Sequence, residues 1–486
     1  MSRRGIRGAT EQSLQVLSGK VPAELAGVLY RSGQGRMRSH GQDYDHLFDG
    51  DGVLHRFVFD GGRVQYRSRY VETPQFRREE EAGRQLYRSF GTNLPGGLRR
   101  NAFRFRLKNA ANTTPLLLDG RLLTLWEGGS PHWVDPETLE RQGHWLADGT
   151  LSSRTMVERI MQNGRPFSAH PKVIPGDATI YNFGLSPGLI QRLLLYRVNA
   201  RSGAVESREF RLPRLTFMHD FVATAAGSRV FFDVGVAFHL LPAFLGRIPP
   251  AASVRGDPDA ETIVRVFDRF DRQHTVPGPA GYVFHLPNGY QEPDVCGKRG
   301  DIVADSCWME QFPDSRDFKA MISDRTPEHP MLPTLTRHRI DLDRGVVERE
   351  ILSDHFLELP AINPAYRGRE HRYIWGVAEP PERRPAAVMH GLARVDSRKR
   401  ETLYRDLHPL IVGEPVFVTP DGGDAAAAEA EGAAEERGYL LAMAFDPRDE
   451  QGLLLILSAG TMEEVARLAL PEPAPLGFHG LWVPPG

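Results

Sequence analysis

The feature that most constrains this chain is a recurring two-stranded unit: a short run rich in apolar and β-branched residues, a turn, and a second such run. It appears at residues 55–72 (HRFVFDGGRVQYRSRYVE), 115–127 (PLLLDGRLLTLWE) and 193–210 (LLYRVNARSGAVESREF within it), and again around 263–269, 338–351, 391–404 and 453–470. Turn residues between alternating runs read as β-hairpins. Units spaced roughly 50 to 80 residues apart, none able to bury both faces by itself, cover one another by radial packing. The expectation is an all-β chain of about seven sheets, a seven-bladed β-propeller; a large double sandwich is the competing architecture. On this reading residues 1–486 form one domain, with residues 1–20 an N-terminal extension and residues 421–438 (DGGDAAAAEAEGAAEERG) an acidic, alanine-rich loop insertion.

Charge removes some classes of partner. Lys and Arg total 60 against 62 Asp and Glu, and no basic stripe stands out, so nucleic acid is not expected. Two cysteines, Cys296 and Cys307, lack the number for a disulfide framework and the spacing for a zinc or redox motif. With no apolar run after the basic residues of MSRRGIRGATEQ, the expected location is the cytoplasm. Two leucine- and phenylalanine-rich stretches, 186–198 (SPGLIQRLLLYRV) and 236–250 (VAFHLLPAFLGRIPP), break the pattern. They read either as packing between sheets or as an apolar cap that touches a membrane peripherally and admits a lipophilic substrate.

Of 17 histidines, four share a setting after small or apolar residues and before a strand-like run: His170 (SAHPKV), His219 (FMHDFVAT), His285 (FHLPNGYQE) and His479 (GFHGLWVP). No HxxxH or HExxH pair exists, so a metal site must gather ligands from separate elements, which inner strands around a propeller axis do. Four neutral imidazoles suit Fe, Cu, Ni or Zn alike. They leave the ion's charge uncompensated, so nearby carboxylates are expected to accept the second N–H of the rings. Glu127 (LWEGG), Glu358 (LELPA) and Glu414 (GEPVF) are acids set in apolar runs, which need partners if buried; strand-edge surface glutamates are the other reading.

At these motifs the sequence resembles the carotenoid cleavage oxygenase family, its bacterial apocarotenoid-cleaving branch above all. PAELAGVLYRSGQGRM (22–37), HLFDGDGVLHRFVF (46–59), residues 107–140, the four histidine motifs, residues 357–376 and GEPVFV (413–418) carry the resemblance. It implies a seven-bladed propeller with a helical or loop cap over a central Fe(II) held by His170, His219, His285 and His479. It further implies that Glu127, Glu358 and Glu414 support His219, His285 and His479 respectively, leaving His170 without a carboxylate, and that Thr113 leans toward the vacant coordination position. The implied activity is cleavage of a C=C bond of a carotenoid or apocarotenoid with O₂. Trp126, Phe217 and Phe284 are the expected walls of a tunnel for a lipophilic polyene. Related members cleave stilbenoids or isomerise retinoids at the same site. In the stilbene-cleaving branch a lysine precedes the first glutamate; here that residue is Trp126, which favours a polyene. A non-catalytic propeller scaffold is the remaining alternative.

Overall fold

The computed structural model describes residues 8–485, apart from 162–163, 189, 258–259, 296–298, 313–316, 318, 320–330, 384–387, 421–434 and 474–475. The alanine-rich insertion therefore falls largely outside the described residues. The hairpins expected from sequence are present: strand Gly52–Asp60 turns into Arg63–Tyr70, Thr114–Leu118 into Arg121–Leu125, and Arg192–Asn199 into Val205–Arg211. At the first of these turns Gly61 and Gly62 take φ of 52° and 77°, the left-handed backbone that a tight hairpin asks for and glycine adopts most readily.

The strands form six large antiparallel sheets and two short ribbons among the described residues. Five of the sheets have four or five strands, and one has eight. In the eight-stranded sheet the 16-residue strand Val346–Ala361 serves two partners in turn. Its residues 346–356 pair with Thr334–Asp341, and its residues 356–361 pair with Tyr373–Glu379.

Apolar clusters join each sheet to the next. Tyr30 and Leu54 of the first sheet pack with Leu122 and Val134 of the second. Leu123 and Leu125 meet Leu194 and Tyr196, Phe183 and Leu195 meet Phe231 and Phe267, and Val264 and Val266 meet Ile302 and Ile340. Within the long sheet Cys307 and Leu335 pack on Ile374 and Val395. Trp375 and Leu392 then pack on Leu440 and Leu455, and Leu441 and Leu454 return to Leu29 and Phe57 of the first sheet.

Both chain ends enter this arrangement. Strand Gly480–Val483 pairs with Gly27–Gln34. Thr10–Ser13 pairs with Arg63–Tyr70, and Gln15–Gly19 with Glu464–Ala469. Residues 10–13 and 15–19, within the stretch read from sequence as an N-terminal extension over residues 1–20, are edge strands of two sheets.

The two leucine-rich stretches diverge. Strand Arg192–Asn199 buries Leu193, Leu194, Leu195, Tyr196 and Val198 between sheets, so residues 192–198 belong to the core. Residues 236–250 form the short strand Val236–Phe238 and the single-turn helix Leu240–Phe244. This segment is tied to the loop at 88–107: Arg88, 3% exposed, donates to the carbonyls of Asn101, Arg104, Ala243 and Ile248. No helix among the described residues is long and apolar enough to cross a membrane.

Candidate metal centre and cavity

Each of the four histidines stands at the end of a strand or in a turn beside one, where side-chain direction is no longer fixed by the pleat. His479 directly precedes Gly480–Val483, and His219 lies three residues before Val222–Ala223. Their backbones are tied down: Cys307 N donates to His285 O at 2.9 Å, Ser32 N to His479 O at 3.0 Å, and His170 N to Ser168 Oγ at 3.1 Å.

The four rings converge. Ring centroids lie 4.4 Å apart for His170 and His219, 4.8 Å for His170 and His479, 5.1 Å for His285 and His479, and 5.3 Å for His219 and His285. Nitrogens of His170, His285 and His479 lie within 4.8 Å of one another, and His219 Nε2 is 2.9 Å from His170 Nε2.

Three rings are oriented by carboxylates on the far side. His219 Nδ1 is 2.9 Å from Glu127 Oε2, His285 Nδ1 is 2.5 Å from Glu358 Oε2, and His479 Nδ1 is 2.8 Å from Glu414 Oε1. A carboxylate at Nδ1 keeps the proton there and turns the Nε2 lone pair inward. Two of the glutamates sit at breaks in a strand ladder. The register shifts between Glu358 and Ala361 and again between Val412 and Pro415, which bracket Glu358 and Glu414. Leu359 takes φ of 50°, left-handed backbone inside a strand, and such a bulge re-aims the neighbouring side chain. Glu127 follows the end of Arg121–Leu125.

The electrostatics are those of a dry site. Burial drives the His170 imidazole well below its ordinary range, and His219, His479, His285 and Lys172 lower it further. Burial also lowers His479, with Glu414 opposing. Burial pulls His285 down too, but Glu358, Asp220 and Glu414 together outweigh it and the net shift is upward. Glu414 stays below its usual range despite burial, held there by His479 and by Arg31. His285 Nε2 is buried without a hydrogen-bond partner, and the facing Nε2 atoms of His170 and His219 cannot both act as acceptors toward each other. Inward lone pairs with no proton donor to meet them fit a cation with soft-to-borderline preference. The residues present therefore suit a metal.

Sequence reasoning missed the groups that support this set. The buried Asp220 accepts from Leu286 N at 2.8 Å, Phe221 N at 2.7 Å and Lys172 Nζ at 2.6 Å, and lies 3.9 Å from His170 Nδ1. It thus touches the backbone beside His285, follows His219 and approaches His170. Arg31, fully buried, holds Glu414 Oε2 at 2.6 Å and the carbonyls of Glu414 and Phe478. The FMHDF motif names Asp220, but its partners are spread over the chain; Arg31 offered no local signal.

The imidazoles of His219, His285 and His479 open onto a cavity of about 480 Å³. Its wall is mainly apolar, with Phe48, Phe90, Leu107, Phe238, Met331 and Phe478 among the lining residues. Thr113, Trp126, Phe217 and Phe284 all line it. Phe284 stands edge-on to His219, with centroids 5.2 Å apart. The Thr113 hydroxyl donates to Asn112 Oδ1 at 3.0 Å, and His479 N donates to Thr113 O at 3.2 Å.

Four converging imidazoles, three of them backed by carboxylates, at the wall of an apolar cavity make up a candidate metal centre. Residues 6–484 match the model of the retinal pigment epithelial membrane protein family. The chain is 30% identical to an apocarotenoid-15,15'-oxygenase of Synechocystis over 96% of its own length and 92% of that protein's. It is 28% identical to an isoeugenol monooxygenase of Pseudomonas putida over 96% and 93%. The crystal structure of the cobalt-substituted Synechocystis oxygenase superposes with a TM-score of 0.88, covering 99% of this chain and 98% of that one at 28% identity. The chain belongs to this family, that of the carotenoid cleavage oxygenases.

Proposed function

We propose that the protein is a non-haem Fe(II) dioxygenase that cleaves a C=C bond of a carotenoid or apocarotenoid with O₂. The observation that carries this reading is the four-imidazole cluster, three rings backed by Glu127, Glu358 and Glu414, at the wall of an apolar cavity. Both oxygen atoms of O₂ enter the products: the double bond breaks and each carbon becomes a carbonyl, with no proton gained or lost. Bound iron supplies the redox chemistry that lets O₂ react with a closed-shell alkene. His170, His219, His285 and His479 would hold it through Nε2. The protein's own task is placement. The carboxylates keep the Nδ1 protons and ring planes fixed, and Trp126, Phe217 and Phe284 wall a tunnel that excludes water and lays the alkene beside the centre. Thr113 is read as the side chain beside the open coordination position, supported by its place in the cavity wall next to His479.

The architecture proposed with this activity is one seven-bladed propeller over residues 1–486. Its support is the count of sheets, with the eight-stranded one divided where Val346–Ala361 changes partners, and the succession of apolar clusters that returns to the first sheet. The terminal strand Gly480–Val483, paired with Gly27–Gln34, would join the C-terminal end of the chain to the first sheet and so tie the ring.

The 236–250 segment and the adjoining loop form the proposed cap. Phe103 and Leu241 are each 68% exposed, Phe103 N donates to Phe244 O, and residues 82–118 and 234–256 contain no acidic residue. This supports peripheral contact of a cytoplasmic protein with a membrane that stores its substrate.

A second reading, cleavage of a stilbenoid alkene at the same centre, is supported by a relative named as a lignostilbene-α,β-dioxygenase. Incubation with an apocarotenal and a hydroxystilbene under ¹⁸O₂ tests both readings. Two aldehyde fragments from the polyene, each carrying label, are expected. Label-free isomerised product, or cleavage of the stilbene alone, would overturn the leading reading.

A further inference from the structure

The polar groups in the cavity wall are nearly all committed to the protein. Asn112 Nδ2 donates to the carbonyls of Phe48 and Gly50, each at 2.9 Å, and its oxygen takes the Thr113 hydroxyl. Gln191 donates to Thr216 O and accepts from Thr216 N, at 3.1 and 2.7 Å. The Ser253 hydroxyl donates to Pro250 O at 2.6 Å. The glutamates and imidazoles belong to the metal centre.

Gln34 differs. It lines the cavity and is 1% exposed. Its Oε1 is buried with no hydrogen-bond partner. An unsatisfied amide in an apolar wall is a standing cost that folding alone does not explain.

Its place is fixed by the backbone. Gln34 ends strand Gly27–Gln34 and pairs with Gly52. Two residues earlier Ser32 bonds to His479 O and Phe478 N. At strand rise Gln34 therefore lies about 7 Å along the strand from the point that holds the ligand's backbone. Its Cβ lies close to Gly50, where an added Cβ would come within 2.6 Å of it.

We infer that Gln34 is a specificity-determining residue whose amide binds a neutral oxygen function, a hydroxyl or carbonyl, on the conjugated substrate. This deepens the proposed function and rests on its reading of the cavity as a polyene site. A terminal amide presents a donor at one end and an acceptor at the other, and a half-turn of its last bond exchanges them. It therefore meets a hydroxyl or a carbonyl equally well, and being neutral it offers nothing to balance a carboxylate. The cavity thus recognises an oxygenated polyene rather than a plain hydrocarbon of the same length.

The test is equilibrium binding to the metal-free protein, read by ligand fluorescence, of all-trans retinol and its deoxygenated hydrocarbon axerophthene. The native protein is expected to bind retinol about tenfold more tightly, the value of one hydrogen bond that would otherwise be missing. Gln34→Leu is expected to lose that preference while binding axerophthene as well as the native protein does, which also reports that it has folded. Equal binding of the two ligands by the native protein, or a preference that survives in Gln34→Leu, overturns the assignment of Gln34 and leaves the polyene site standing. Binding of neither ligand overturns the polyene reading of the cavity and this inference with it.

Discussion

Glu358 Oε2 lies 2.5 Å from His285 Nδ1, and the same oxygen accepts the backbone N–H of Leu359 at 2.5 Å. The carboxylate is locked by its own main chain at the bulge, so the ring it holds has one orientation. The side chain is only 10% exposed. Glu358→Ala is expected to weaken metal retention about 10- to 100-fold and Glu358→Gln by less, since the amide keeps one acceptor. Competition with a chelator of known affinity, followed by metal analysis, measures this directly.

Asp220 fastens three of the histidine motifs through Leu286 N, Lys172 Nζ and its own position after His219. Asp220→Asn retains an acceptor for one N–H but leaves the Lys172 ammonium buried without its counter-charge. A loss of roughly 3 to 5 kcal/mol is expected, as for removal of one partner of a buried pair. Denaturant unfolding of the native and variant chains gives the number, and a Lys172→Met, Asp220→Asn double variant should recover part of it.

Phe284 is 6% exposed and packs against Tyr282 at 4.9 Å, Phe48 at 6.4 Å and His219 at 5.2 Å. Phe284→Ala should cost about 3 to 5 kcal/mol of stability, lengthen the cavity beside the centre and change which double bond is presented. A shift in product chain length by mass spectrometry is the expected result; unchanged products would remove Phe284 from the tunnel wall.

Asp49 gives a pH signature away from the centre. Burial raises its carboxyl to about 7, although the Thr92 hydroxyl and Gly91 N–H oppose the rise. The folded-state value lies above the unfolded one, so the folded chain holds the proton more tightly. Stability from this group is present below about pH 4 and is lost as pH rises toward 7. Measured from pH 4 to 8, the unfolding free energy of the native chain relative to that of Asp49→Asn should fall as pH rises, because the amide stays neutral.

Much of this was legible from residues alone. The hairpins announced themselves through alternation and glycine turns, as at Asp60–Arg63, because a β-strand writes its period into side chains. The four histidines and three glutamates stood in short motifs, and the structure brings all seven together. Other parts left no local trace. Strands Thr10–Ser13 and Gln15–Gly19 are edge strands with mostly exposed side chains, so no hydrophobic pattern marks them. The run at 192–198 is apolar on both faces because sheets cover both, and composition by itself cannot separate that from an exposed cap. Arg31 and Asp220 act on groups hundreds or tens of residues away, a relation set by the fold.

The central claim is that His170, His219, His285 and His479 together hold one iron. Metal analysis of the protein purified from iron-supplemented cells tests it most directly, alongside His219→Ala and His285→Ala prepared in the same way. The account predicts about one iron per native chain and a large loss in both variants, as removal of a ligand requires. Less than a few tenths of an iron in the native chain, or iron content indifferent to both substitutions, would contradict it.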